Sequence, residues 1–149
     1  MRAIVQRVSR ASVTVAGQVV GRIDAGLLVY AAAVADDGPD DISYIADKVS
    51  QLRIFHDEAG KMNRGVLETG GAVLLVSAFT LLADARKGRR PAFLGAAPGP
   101  VAEPLIARLA EAIRAHGVRV ETGRFAGEMQ VESVNDGPIC IPLDSRRLW

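Results

Sequence analysis

"LLVYAAAV" (residues 27–34) is apolar without interruption. A strand with one wet face alternates apolar and polar side chains, so an unbroken run of this length reads as a strand covered on both faces. A second such run, "AVLLVSAFTLL" (72–82), turns polar only at Ser77 and Thr80. Between them, Ile42, Ile45, Ala46, Val49 and Leu52 fall at i, i+3, i+4, i+7 and i+10, one apolar stripe of a helix that lies on a sheet. The loop before it, "ADDGPDD" (35–41), supplies acidic residues where a helix start favours them.

The flanking segments extend the pattern. Residues 3–23 are rich in Val and Ile, alternate at Val13 and Val15, and turn at Gly17, which predicts one or two hairpins. "FHDEAGKMN" (55–63) reads as a surface hairpin or loop pivoting on Gly60. Residues 83–100 are irregular and rich in Gly, Pro and Arg, and a loop that long is usually functional or mobile. A second helix is expected from about Pro104, with Ile106, Leu109 and Ile113 on one face and Gly117 as its stop. Three short strands, about 118–122, 128–134 and 139–143, finish the chain. Strands interrupted twice by helices predict an α/β fold of layered sheets with helices on one outer side, in a single domain over residues 1–149.

Composition narrows the function classes. Of 149 residues, 49% are apolar and 23% charged, which argues against disorder. Eighteen basic against 17 acidic residues leave a net charge of +1, so any nucleic-acid contact must come from a local patch. With one cysteine, Cys140, and two histidines, His56 and His116, the chain supplies no Cys/His zinc framework, and no metal or cofactor is expected. The start "MRAIVQRVSR" is charged where a signal peptide is apolar. "GLLVYAAAVA" (26–35) is about half the ~20 residues of a membrane-spanning helix. The expectation is a cytoplasmic enzyme or binding protein, without a membrane or DNA partner.

Phosphate-loop, dinucleotide-binding, zinc-protease and nucleophile-elbow motifs are all missing. Three stretches remain. In "LLVSAFTLLAD" (74–84), Ser77 and Thr80 emerge where a buried strand ends. Ligands bind at such ends, and the backbone N–H groups of Phe79 and Thr80 can face an oxyanion there. Equally, Ser and Thr can simply satisfy a strand terminus. In "ARKGRRPAF" (85–93), Arg86, Lys87, Arg89 and Arg90 crowd one glycine beside Phe93. They suit a phosphate backbone and a stacked base, or form a solvated loop. In "VNDGPICIPLD" (134–144), Asn135-Asp136-Gly137-Pro138 is either an ordinary bend or backbone placed to touch a ligand, with Pro138 marking where pairing resumes. Cys140 reads as a small buried hydrophobe rather than a nucleophile, and His56 as a loop residue rather than a base for Ser77 or Thr80.

Taken together, "MRAIVQRVSRASVTV", "LRIFHDEAGKMNRGV", "VSAFTLLADARKGRRPAF", "AAP" and "TGRFAGEMQVESVNDGP" resemble the D-aminoacyl-tRNA deacylase family over essentially the whole chain. The resemblance implies a three-layer β/β/α fold, two layered β-sheets of roll- or barrel-like form with two main helices on one side, in a homodimer. It implies hydrolysis of the ester between a D-amino acid, or mischarged glycine, and the 3′-terminal adenosine of tRNA. Gly137-Pro138 would be a cis dipeptide reaching into the partner subunit's active site, held by Arg7 and neighboured by Asn135. Phe79, Phe125 and Met129 would wall the adenine. Either Thr80 is the nucleophile, or the ribose 2′-hydroxyl helps activate water while N–H groups near Phe79 and Thr80 stabilise the oxyanion. The absence of an activating base beside Thr80 favours the second.

Two departures stand out. Ala78 replaces a glutamine, leaving only its backbone N–H for the tRNA terminus, and Ile139-Cys140 replaces Val-Thr. The competing readings are a non-catalytic tRNA-end or nucleotide-binding module and, more remotely, a small-ester hydrolase using Cys140 or Ser77.

Overall fold

The structure, a computed structural model, describes residues 1–148. In chain order it contains β1 (Arg2–Val15), β2 (Gln18–Ile23), β3 (Gly26–Ala32), α1 (Pro39–Gln51), β4 (Phe55–His56), β5 (Met62–Arg64), β6 (Ala72–Ser77), α2 (Gly99–Ala115), β7 (Arg119–Thr122) and β8 (Gln130–Asp144). Single 3-10 turns occupy Leu67–Thr69 and Phe79–Leu82. Six strands form one sheet in the order β2-β1-β3-β6-β7, with β8 also paired to β1, and β4-β5 make a separate ribbon. β3, β6 and β7 run parallel, whereas β1 pairs antiparallel with β2, β3 and β8.

Alternation along the strands builds two cores. In β3, Leu27, Val29 and Ala31 face the helices while Leu28 faces the other way, and β6 does the same with Val73 and Leu75 against Leu74 and Val76. The runs read from the sequence are thus covered on two faces as far as Ala32 and Val76, and lose that cover beyond, at Val34 and at Phe79 and Thr80. One core fills the space under α1 and α2, with Ile45, Val49, Leu109 and Ile113 pointing down onto the sheet. The other lies where β2 folds across β6 and β7, closing the sheet into a roll around Val13, Ile23 and Leu74. Each such buried side chain stabilises the fold by about 1.5–3 kcal/mol. The β/β/α layering is thus present, with both β layers cut from one hydrogen-bonded sheet.

Two features let one sheet serve both cores. β3 and β6 approach so closely at Gly26 that an added Cβ would lie 1.9 Å from the Ala72 carbonyl oxygen. In β1, Val8 pairs with Asn135 and Arg10 with Val134, so Ser9 is an extra, exposed residue. That bulge reverses the alternation: Ala3, Val5 and Arg7 point to the helix side, Val8, Ala11 and Val13 into the roll.

Several boundaries differ from the sequence expectation. Residues 2–15 form one strand and a single hairpin with β2 around Ala16-Gly17. The second buried run leaves the sheet after Ser77 and tightens into the 3-10 turn. α2 begins at Gly99, because Pro100 takes the early helix position and Pro104 is accommodated inside at the loss of one backbone hydrogen bond. The segments expected as 128–134 and 139–143 belong to the single strand β8. At the sheet end the Met1 ammonium donates to Asp37 Oδ1 at 2.5 Å and to Ser145 Oγ at 2.7 Å. Neither side chain of the Met1–Asp37 pair is exposed. Among the described residues, no helix is long and apolar enough to cross a membrane.

Candidate active site

β6 delivers Ser77 to the end of the parallel ladder, beside the end of β3. There the chain leaves the sheet and turns through Phe79–Leu82. The turn donates from Leu81 and Ala83 to the carbonyls of Ala78 and Thr80. Its first N–H groups, those of Phe79 and Thr80, have no acceptor within the turn. The turn stands beside a cavity of about 620 Å³ that Ser77, Ala78, Phe79, Thr80, Phe125 and Met129 all line. Six residues named from the sequence, drawn from positions 77 to 129, thus meet in one place.

Their environments differ. Ser77, Ala78, Phe125 and Met129 are half-buried and Thr80 is exposed. Phe125 leans on the helix-side core and Met129 on the roll core, so the two cores supply opposite apolar flanks. The Phe79 ring stands 57% exposed at the rim and meets the Phe93 ring edge-on, 5.1 Å between centroids. Ser77 and Phe125 also border a second cavity of about 260 Å³ against α2 and β7. The Ala78 N–H, expected to be free for a ligand, donates instead to the Ala31 carbonyl at 2.8 Å, so this residue offers the cavity only its methyl.

The lining also contains residues that the sequence reading passed over. Tyr30 on β3 forms part of the wall, and burial pushes its phenol pKa up, keeping it a neutral hydroxyl. Ala31, Ala32 and Ala33 continue the wall, and their small side chains leave the space that larger ones would fill. The available signal was a single tyrosine inside a buried apolar run.

Arg7, Asn135, Gly137 and Pro138 form a second constellation that does not line this cavity in the same chain. Between the pairs Gln6–Cys140 and Val8–Asn135, β1 contributes one residue and β8 four, so 136–139 bulge out of the ladder. Gly137-Pro138 is a cis peptide, and both residues are exposed. Arg7, 4% exposed, donates from Nη1 to the Ile54 carbonyl at 2.6 Å and from Nε to the Asp136 carbonyl at 3.1 Å. The Ile139 N–H donates to Asn135 Oδ1 at 3.0 Å. Gly137 adopts φ +132°, and a Cβ there would meet Ile139 N at 2.9 Å and Arg7 Nη2 at 3.3 Å, so only glycine fits. The bulge is held from below and closed from the side.

Cys140 and His56 lie outside the cavity. Cys140 is exposed rather than buried as expected, because Ile139 and Ile141 take the inward positions of the strand and the residue between them points away. His56 is exposed on β4. Among the described residues, no cluster of three potential metal-ligating side chains occurs.

The sequence matches the family model described as D-Tyr-tRNA(Tyr) deacylase over residues 4–144. A D-aminoacyl-tRNA deacylase of Anaeromyxobacter dehalogenans is 58% identical over 149 residues, covering 100% of both chains. Another from Thermus aquaticus is 52% identical over 145 residues, covering 97% of this chain and 95% of the relative. A solved structure titled c-Myc DNA Unwinding Element Binding Protein superposes with a TM-score of 0.91 at 36% identity, covering 97% of this chain and 98% of that one. A second, of a probable eukaryotic D-amino acid tRNA deacylase, has the same fold at a TM-score of 0.80 and 20% identity, covering 95% of this chain and 97% of that one. With the match running from the first strand to the last, this chain belongs to the D-Tyr-tRNA(Tyr) deacylase family.

Proposed function

We propose that this protein hydrolyses the ester of D-aminoacyl-tRNA, and of glycine mischarged on tRNA, as a single-domain homodimer in the cytoplasm. The observation that carries the proposal is the gathering of Ser77–Thr80, Phe125 and Met129 around one cavity in a chain of this family. The terminal adenosine sits between the Phe125 and Met129 flanks. The ester carbonyl lies against the N–H groups of Phe79 and Thr80, which have no acceptor within their own turn and serve the negative charge that develops there. Water adds to the carbonyl carbon, the bond to the ribose oxygen breaks, and the departing oxygen takes up the proton, releasing amino acid and tRNA. Among the described residues that line the cavity there is no His, Lys, Asp or Glu to activate a threonine nucleophile, and His56 lies elsewhere. The adjacent ribose hydroxyl assists the water instead.

Chirality is read by the partner subunit's copy of the 136–139 bulge. Gly137 and Pro138 are exposed, braced by Arg7 and Asn135, and absent from their own cavity wall, as a probe for a second copy requires. A rigid backbone wedge leaves no room for an L side chain, and glycine passes for want of one. A built-in clash separates enantiomers where matched apolar contacts cannot.

Release of D-Tyr and glycine, but not L-Tyr, from charged tRNA is the test, and equal rates on D- and L-Tyr would refute the chirality argument. Thr80→Ala should slow turnover modestly; total loss with an intact fold would restore the nucleophile. Ala78, which lacks the amide of the family's glutamine, is the one feature favouring a non-catalytic tRNA-end or nucleotide-binding module. Adenosine binding without any deacylation would establish that second reading.

A further inference from the structure

The loop from Asp84 to Ala92 carries four cations, Arg86, Lys87, Arg89 and Arg90, all exposed. Its base is tied by two backbone hydrogen bonds, Asp84 N–H to Ala92 O at 2.7 Å and Ala92 N–H to Asp84 O at 2.9 Å. Arg86 folds back onto Asp84 through a forked contact, Nε to Oδ1 at 2.9 Å and Nη2 to Oδ2 at 2.7 Å. Those hydrogen bonds hold the Asp84 carboxyl far below the usual carboxylate range. Arg86 thus has its carboxylate partner within the loop. Lys87, Arg89 and Arg90 have no carboxylate partner among the described residues.

Both limbs of the loop start at the cavity. The outgoing limb follows directly from the 3-10 turn that carries Phe79 and Thr80. The returning limb passes through Phe93, whose ring contacts Phe79, and then through Ala96 and Ala97 in the cavity wall. Ala97 is pinned there by its N–H to the Ala33 carbonyl at 2.9 Å. From Ala92 to Lys87 the chain extends at most about 17 Å, the reach of a few nucleotides. A merely solvated loop has no need of an internal salt bridge and an anchored root. In a chain of net charge +1, three unpaired cations beside the mouth of the site form a local field, not part of a generally basic surface.

We propose that Lys87, Arg89 and Arg90 bind the phosphates of the acceptor strand immediately preceding the aminoacylated adenosine. This rests on the deacylase reading above and adds to it the RNA contact outside the cavity. Each phosphate neutralised on a nucleic-acid strand contributes a slope of about 0.7–0.9 in log affinity against log salt. Three contacts correspond to a slope of about 2.1–2.7, or a roughly 20- to 40-fold loss between ~50 and ~200 mM salt.

The experiment measures kcat/KM on D-Tyr-tRNA and on D-Tyr-adenosine, an ester without phosphates, across that salt range. The proteins compared are wild type, K87A/R89A/R90A and R89K/R90K. For wild type, only the tRNA reaction should depend steeply on salt. The triple variant should lose about two units of that slope, and its ratio of tRNA to adenosine kcat/KM should fall more than tenfold at low salt, through KM. R89K/R90K, which keeps the charge, should retain the slope. An unchanged ratio and slope in the triple variant overturn the proposal, as does an equal fall on both substrates, which would assign the loop to the cavity itself. Wild type that cleaves neither substrate would instead refute the deacylase reading, and this proposal with it.

Discussion

Arg7→Lys tests the idea that the 136–139 bulge works because it is held still. The guanidinium serves two carbonyls at once, Ile54 at 2.6 Å and Asp136 at 3.1 Å, from a position 4% exposed. A lysine ammonium keeps the charge but lacks the planar fork, and from this position it reaches one carbonyl or the other. The ion pair to Asp136 Oδ2 adds little, since that carboxylate is 59% exposed. The loss is therefore one charge-assisted hydrogen bond, about 1.5–3 kcal/mol. At an RT of about 0.59 kcal/mol, that raises the released fraction of the bulge roughly 10- to 150-fold. Amide exchange at Ile139, whose N–H is tied to Asn135, reads this locally, with amides of β3 and β6 as internal reference. Exchange at Ile139 should quicken at least tenfold while the reference amides hold. Cleavage of L-Tyr-tRNA relative to D-Tyr-tRNA should rise. Unchanged protection at Ile139 together with an unchanged D/L ratio would show that Arg7 does not position the bulge.

Other expectations concern the scaffold. Gly26→Ala forces a Cβ to within 1.9 Å of the Ala72 carbonyl and should part the two central strands, giving insoluble protein or a urea midpoint lowered by more than about 4 kcal/mol equivalent. Asp37→Ala removes the nearest carboxylate of the buried Met1 ammonium, leaving it the Ser145 hydroxyl and the more distant Asp41, and frees the Val34 N–H that Asp37 also accepts, so equilibrium unfolding at fixed protomer concentration should show a loss of about 3 kcal/mol. In acid the sign is set by depressed carboxylates. Burial alone would raise Asp41, but the Gly38 N–H, the Ser145 hydroxyl and the Met1 ammonium hold it below its ordinary value. Asp57 is lowered by the Lys61 and Ala59 N–H groups. Their contribution is complete above the unfolded value near pH ~4 and is lost as pH falls through the folded one. The urea midpoint should thus be flat with respect to these groups from pH ~7 to ~5 and fall below ~4, less steeply in Asp41→Asn.

How far the sequence could be read depended on whether a residue's role is local. Two-sided burial of the runs 27–34 and 72–82, which the structure bears out as far as Ala32 and Val76, the stripe of α1 and the turn at Gly60 follow from side-chain polarity and period alone. The strand-end cluster at Ser77–Thr80 was visible because polar residues broke an apolar run. By contrast, Pro104 resembles a first-turn proline, and only the placement of Gly99 against the cavity shows that the helix starts earlier. Asn135-Asp136-Gly137-Pro138 has the composition of a turn that ends a strand, whereas β1 carries the pairing across it. Alanines 31–33 signal nothing in sequence, since smallness becomes a wall only when a neighbour leaves space beside it. The exposure of Cys140 depends on the register of β8, which no local pattern reveals. Arg7 was singled out by the family likeness, not by its neighbours.

Ser9 is an ordinary surface residue by every chemical measure, yet it acts as a spacer in a reading frame. Any amino acid that tolerates the bend can occupy the site, because its side chain touches neither core. Removing it would swap inside for outside along the remainder of β1, turning Ala11 and Val13 to water and Ser12 and Thr14 into the roll. In this fold a deletion of one residue is graver than almost any exchange of it.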